Sequence, residues 1–470
     1  MDIVLILIYL MIMILLGVLA SRRVSGVYDL YVGGLNIGGV ATALSFFTTY
    51  FSSVIFVGAT ALGWKYGLLV LWKDIFVVIV GTLVAFVVIG PRVLALSRRY
   101  RIASIIDLIE LRYRSRAVSI TASLTMFVGL YLYCISILIG MARALEASIG
   151  LSYETSLAIS SIVTLVYIVL GGYIAQVWTQ VLQAVFMLFM AVTLGVTSIV
   201  AVGGFSNLQN ALASIDPSLA TWPYRDTLPM FAFFLSLGFM GIGNPALLIK
   251  FISVKDRISL KKAVLISTAT VAILTLSLNI ASATMRIILR NSIATPDHAF
   301  IYFTKTILPK GFDTLLVIAI LSASMSTLSA ILNTLTHIAR DTIARLLSRN
   351  PGNEVLFFRL TTLAIGITTT IPALKPPEML ITLFGVTTSI ISTVLVGPII
   401  YGLFWRKASA LGALVSMITS FTVAIAVSAY GGFRFPWTYY AFIPSIILSL
   451  TLLPLISIAI PSKNTAEHYC

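Results

Sequence analysis

The sequence predicts an all-α polytopic membrane protein, and three observations predict it. Of its 470 residues, 59% are hydrophobic and only 10% charged. Mean hydropathy is +1.05. Runs of about 20 apolar residues recur from end to end, each long enough to cross the hydrocarbon core as a helix. Thirteen spans fit, near residues 2–21, 38–62, 67–91, 117–141, 155–174, 179–203, 227–249, 262–286, 312–338, 356–373, 379–404, 408–430 and 437–460.

The first span lacks the basic leader of a signal peptide, begins at Asp2 and is followed by Arg22 and Arg23, so it reads as a membrane helix. Charge after it points the N-terminus outward. On that topology the presumed cytoplasmic stretches, among them Arg92 to Arg116, Lys250 to Lys262 and Arg340 to Arg359, hold 21 of the 31 Lys and Arg. This satisfies the positive-inside rule and places the C-terminus in the cytoplasm. It also accounts for the net charge of +15 without nucleic acid as a partner, because the cations are scattered over many loops. The outer stretches 203–226 and 290–312 carry turn residues such as Asp216-Pro217 and Pro296-Asp297 but are too short for a core of their own. Trp64, Trp222 and Trp437 near span ends read as interface anchors.

Chemistry must therefore happen within the membrane. Cys134 and Cys470 offer no structural bridge, His298, His337 and His468 lie far apart, and there is no CxxC pair, HExxH or P-loop. The chain is not expected to be an enzyme. Glu110, Arg112 and Arg116 read as surface pairs in a basic loop, and Arg340 and Asp341, with His337 a turn back, as headgroup anchors of the ninth span.

Irregular backbone survives in a membrane only where it lines a cavity or is buried in protein, so breaks in the spans locate the site. The second span carries a dense polar and β-branched patch at 44–53, around Thr48 and Ser52, followed by Gly58. The seventh reads Gly238-Phe-Met-Gly-Ile-Gly-Asn-Pro245, where glycines and a proline remove helical bonding midway across. Five spans separate the two breaks. Spans two to six and seven to eleven are then inverted-topology repeats with discontinuous first helices. Helix packing by small residues and a plain glycine-proline kink are the plainer readings of each break taken alone.

The ninth span sets Ser326 and Thr327 one turn after Ala323 in an apolar helix. Such hydroxyls either bond back to the preceding carbonyls or offer oxygens to a hard cation. Asp74, beside Lys73 and Trp72, is the acidic residue placed well inside the membrane. Charge there is a functional candidate, unless both residues reach the outer surface or bond to other helices.

Together these residues resemble the sodium:solute symporter family, which includes sodium-coupled glucose, proline, monocarboxylate, iodide and pantothenate transporters. The resemblance rests on Ser45 to Gly58; on Pro91-Arg92 and Ile105 to Val118; and on Gly171-Gly172 with Val177-Trp178-Thr179 and Gln183. It extends to Gly241 to Phe251 with Lys255-Asp256, Ala323 to Thr327 with Arg340-Asp341, and Gly397-Pro398 with Gly402 to Arg406. It implies the thirteen-helix version of the five-plus-five inverted-repeat, leucine-transporter-type fold. That fold has an extra N-terminal helix and loop (1–37), repeats at 38–203 and 227–404, and two C-terminal helices with a short tail (405–470).

The resemblance further implies a sodium site formed by the backbone carbonyls of Thr48, Phe51 and Ala323 and the hydroxyls of Ser326 and Thr327. Many members carry Asp after Val-Trp-Thr, in some of them as part of a second sodium site. Here Gln180 stands there, and Ala330 follows Ser329, so one Na⁺ per cycle is expected. Asp74 falls where sugar transporters of the family keep a substrate-contacting Glu, but Val54 and Ile55 replace expected polar neighbours, which disfavours sugar. The pattern 48–53 looks most like the branch that carries small anions. The expectation is a symporter coupling inward Na⁺ movement to uptake of a monocarboxylate or other small carboxylate-bearing solute, near Thr49, Tyr50, Ser53, Asp74 and Asn244. A proline-like or sugar symporter, a proton-coupled carrier and a passive uniporter or channel are the alternatives. The expected setting is a cytoplasmic membrane, with a monomer as the transport unit.

Overall fold

The computed structural model describes residues 2–24, 26–54, 59–220, 227–289, 296–309, 311–348, 352–376 and 380–461. Ile55, Gly58, Trp222, His468 and Cys470, all named above, lie outside them. The described chain is helical throughout. In chain order it runs α1 (Asp2–Ser21), α2 (Gly39–Tyr50), α3 (Ala59–Tyr66), α4 (residues 71–100), α5 (Ile105–Tyr113), α6 (Arg116–Ile149), α7 (Tyr153–Ala201) and α8 (Thr227–Gly243). There follow α9 (Pro245–Ser253), α10 (Arg257–Leu289), α11 (Phe312–Leu347), α12 (Glu354–Ala373), α13 (Leu380–Ile391), α14 (Val396–Phe404), α15 (Ala410–Tyr430) and α16 (Phe442–Ala459).

Eleven helices among the described residues are long and apolar enough to cross a bilayer singly. The expected second span, 38–62, fails that criterion because it is cut into α2 and α3. The expected fifth and sixth spans run together as α7, whose 49 residues would stretch about 70 Å if straight, against a core of about 30 Å. Gly172 resolves the excess. Its backbone is non-helical (φ 54, ψ −141), and a Cβ there would meet the Leu30 carbonyl at 2.9 Å. Only glycine combines that dihedral with that contact.

The basic stretch 92–116 is not a loop. It continues α4 to Tyr100, turns at Arg101, forms α5 behind a capping box of Ser104 and Asp107, and turns again at Arg114. The stretch after α7 also does more than connect. Leu208, Leu212 and Leu219 bury themselves against Ala283 of α10.

α11 is the central element, with 94% of its apolar window buried, packed on α6 and α7. Between membrane helices there is little hydrophobic gain, so close backbone approach and hydrogen bonds do the holding. α8 illustrates this. A Cβ on Gly241 would lie 1.9 Å from the Gly81 carbonyl, so α8 and α4 touch backbone to backbone. The expectation that these glycines unwind α8 is corrected by this packing: the helix persists to Gly243, and the break falls at Asn244 alone. Near the C-terminal end of α9, Ile37 pairs with the backbone of Ser253 and Lys255, tying the start of α2 to the end of α9.

Candidate functional site at the helix breaks

α2 stops at Tyr50, and Phe51 is extended (φ −107, ψ 102). In an uninterrupted helix the Ser52 amide would bond the Thr48 carbonyl. Ser52 lies beyond the helix end, which releases that carbonyl. α11 supplies partners for it. Ser326 Oγ lies 2.9 Å from the Thr48 carbonyl and 3.0 Å from that of Ala323. Thr327 Oγ1 lies 3.2 Å from the first and 3.1 Å from the second. Both readings of these hydroxyls are therefore realised at once: they bond back to their own helix and reach across to the broken one.

Four of the five oxygens expected to hold sodium are thus gathered into one buried cluster. The fifth residue, Phe51, stands at the break, with its ring against Phe47 and Tyr50. Two hydroxyls have two hydrogens for four short contacts, so oxygen lone pairs remain facing the cluster. All-oxygen, carboxylate-free surroundings of this kind suit a hard cation of single charge.

Side chains from α1 and α7 brace the same turn of α11. Tyr9 bonds Ser322 (2.9 Å), Tyr167 donates to the Met325 carbonyl (2.9 Å), and the Gln180 amide donates to the Ser326 carbonyl (2.8 Å). Gln180 also donates to Thr49 Oγ1 at 2.9 Å. Its own carbonyl accepts from Lys250 Nζ at 3.1 Å.

Lys250 is a residue the sequence reading missed. A seventh span ending at 249 leaves it among the cytoplasmic loop charges, yet it is fully buried in α9, with Nζ 4.8 Å from the Tyr173 ring centre. The signal lies in the residues that follow, where the apolar helix continues to Ser253.

The expected solute residues are placed unevenly. Thr49 is buried beside Gln180, while the Ser53 hydroxyl and the Asn244 amide nitrogen are buried without a partner among the described residues. Asn244 Oδ1 caps α9 through the Ala246 amide at 2.9 Å. The Tyr50 hydroxyl is bonded to the Leu237 carbonyl of α8, so it belongs to the α2–α8 packing. Lys73 does not reach for the outer surface. It is buried and donates to Asn279 Oδ1 (2.9 Å), and Asn279 donates to Asp74 Oδ1 (2.7 Å), an amide-bridged pair between α4 and α10.

At the C-terminal end of α11 the expected headgroup anchors form a network instead. Arg345 binds Asp107 (2.8 Å), Glu110 and Asp341 (3.6 Å), and Ser104 donates to Asp341 at 2.6 Å. Arg340 joins Asp341 (3.1 Å) to Glu354 (2.9 Å). His337 stacks on Tyr31, and Arg112 donates to the Gly402 and Trp405 carbonyls at the end of α14. These groups clamp α11 to α5 and α12.

The sodium:solute symporter family model matches residues 30–420. The sodium/pantothenate symporter of Escherichia coli (strain K12) is 30% identical over 454 residues, covering 94% of this chain and 93% of that protein. The sodium/proline symporter of Salmonella typhimurium is 24% identical, covering 90% and 87%. Among solved structures, the substrate-bound outward-open state of a Na⁺-coupled sialic acid symporter superposes with a TM-score of 0.84 at 19% identity, covering 98% of both chains. The fold is therefore shared with that transporter, and by its match over most of its length the chain belongs to the sodium:solute symporter family.

Proposed function

We propose that the chain moves one Na⁺ inward with each molecule of a small carboxylate-bearing solute, by alternating access around the two helix breaks. On this reading the membrane is crossed thirteen times, with the N-terminus outside, the C-terminus in the cytoplasm, and inverted repeats at 38–203 and 227–404. Na⁺ is held by the carbonyls of Thr48, Phe51 and Ala323 and the hydroxyls of Ser326 and Thr327. The observation that carries it is the crossing of Ser326 and Thr327 onto the Thr48 carbonyl, which links the broken helix to α11 through oxygens alone.

A single Na⁺ is supported by Gln180. Its amide hydrogens face Thr49 and the Ser326 carbonyl, and N–H groups there repel a second cation. A carboxylate-bearing solute is supported by the relatives, since pantothenate and proline both carry one. The unpartnered Ser53 hydroxyl and Asn244 amide nitrogen, with Thr49, form its polar contacts, and Asp74 stands with Lys73 and Asn279.

The test is uptake into proteoliposomes of radiolabelled pantothenate, proline, acetate, lactate, pyruvate and glucose, with an inward Na⁺ gradient or with choline. Accumulation of a carboxylate that requires Na⁺ is expected. Uptake that runs equally in choline makes the chain a uniporter or a proton-coupled carrier instead.

A further inference from the structure

Lys250 is a fully buried amine, and no carboxylate pairs with it among the described residues. Its surroundings suit an ammonium: an amide oxygen at 3.1 Å and an aromatic face at 4.8 Å. A buried charge left without an opposite charge is costly, and in a transporter the missing charge can arrive with the cargo.

The bonds leading from it have a direction. Lys250 donates to the Gln180 carbonyl, and Gln180 donates to Thr49 Oγ1. Because Thr49 accepts there, its own hydrogen is left for another acceptor, and it donates to nothing among the described residues. Donation by the ammonium draws electron density from the amide, strengthening its N–H, and that polarises the Thr49 hydroxyl in turn.

We infer that Lys250, acting through Gln180, aims and polarises the Thr49 hydroxyl as a donor to the carboxylate of the solute, and so makes the site prefer a monoanion over its neutral analogue. Lys250 is a positioning residue here, two hydrogen bonds from Thr49. The inference rests on the Na⁺-coupled carboxylate reading above and adds to it a residue, a donor and a charge preference. With Na⁺ bound and Lys250 protonated, the cluster and Lys250 together carry two positive charges. The solute carboxylate supplies the counter-charge, while Asp74 is already bridged to Lys73 through Asn279.

The experiment compares Na⁺-dependent uptake of matched pairs, pantothenate with its alcohol analogue and lactate with lactamide, in wild type, Lys250→Met and Lys250→Arg. The readout is the ratio of kcat/KM for acid over neutral analogue, which does not depend on how much protein reaches the membrane. Wild type favours the acid, Lys250→Met lowers that ratio about tenfold through KM for the acid, and Lys250→Arg keeps most of it. Should Lys250→Met fail to fold, Gln180→Met interrupts the relay with the lysine in place and is expected to lower the same ratio. Lys250→Met and Thr49→Ala are expected to be non-additive in the ratio, because each breaks the same chain of bonds.

An unchanged ratio in Lys250→Met or Gln180→Met, or additive effects in the double variant, overturns the inference. So does wild-type uptake of acid and neutral analogue alike, or Na⁺-dependent uptake confined to zwitterions or sugars. Absence of any Na⁺-dependent uptake is a different failure, that of the transport reading itself.

Discussion

Ser326 Oγ meets the Thr48 carbonyl at 2.9 Å although 278 positions separate them in the chain. A contact so long in sequence, between a hydroxyl and a carbonyl released by a helix break, has an oxygen-lined junction as its consequence. Ser326→Ala or Thr327→Ala each removes one oxygen, and the Na⁺ concentration for half-maximal uptake is expected to rise about tenfold, on the scale of one charge-assisted contact. The double variant is expected to lose Na⁺ dependence while still inserting. Uptake of a labelled carboxylate across a Na⁺ series measures it, and an unshifted half-saturation point in both single variants removes these hydroxyls from the ion site.

Gly241 of α8 packs directly on Gly81 of α4. A Cβ there would sit 1.9 Å from the Gly81 carbonyl, a backbone atom that cannot step aside. Gly241→Ala should cost about 1–3 kcal/mol in detergent stability by overpacking. Gly38→Ala, where a Cβ would meet nothing within 4 Å, is the matched control. Thermal unfolding of the purified variants in one detergent compares them, and equal midpoints contradict the backbone-to-backbone contact.

How far the site was legible follows from where its causes lie. The breaks could be read because local chemistry makes them: the patch Ser45 to Ser53, and Asn244 before Pro245. The pairing of Ser326 and Thr327 with Thr48 came from a family resemblance, since no local pattern says which helix a hydroxyl will face. Lys250 was misplaced because one basic residue at the end of an apolar run looks like a loop charge. Its burial depends on Gln180 and Tyr173, which belong to another helix. The role given to the glycines of α8 was wrong for a related reason. Glycine permits both unwinding and close approach, and it is the position of Gly81 that selects the second.

The network at the C-terminal end of α11 could not be read locally either, because Arg345 joins Asp107 and Glu110 from more than 200 positions away. Asp341 has no exposed side-chain surface and depends on Arg340, Arg345 and Ser104. Removing one partner of a buried pair leaves the other charge uncompensated, typically about 3–5 kcal/mol. Arg345→Ala is therefore expected to loosen the C-terminal end of α11, lowering stability by about 3 kcal/mol at most, since Arg340 still serves Asp341. It should also raise labelling of a cysteine introduced at Thr342 by a membrane-impermeant reagent. Wild-type labelling rates in Arg345→Ala would mean that these ion pairs do not hold this end of the bundle shut.

One Na⁺ carried with one monoanion moves no net charge, and this gives the transport reading its sharpest consequence. A zwitterion carried with one Na⁺ gains about 2.3 kcal/mol per 100 mV, plus about 1.4 for each tenfold Na⁺ gradient, enough for accumulation on the order of several hundredfold. A monoanion gains only the second term, about tenfold for a tenfold gradient. In proteoliposomes with potassium and valinomycin setting the potential, lactate or pantothenate uptake should respond to the Na⁺ gradient and not to voltage. Proline, where it is carried, should respond to both. Voltage-driven accumulation of the monoanion requires a second cation per cycle. Gln180 turns its N–H groups toward Thr49 and the Ser326 carbonyl, so an ion arriving at that point would meet donors.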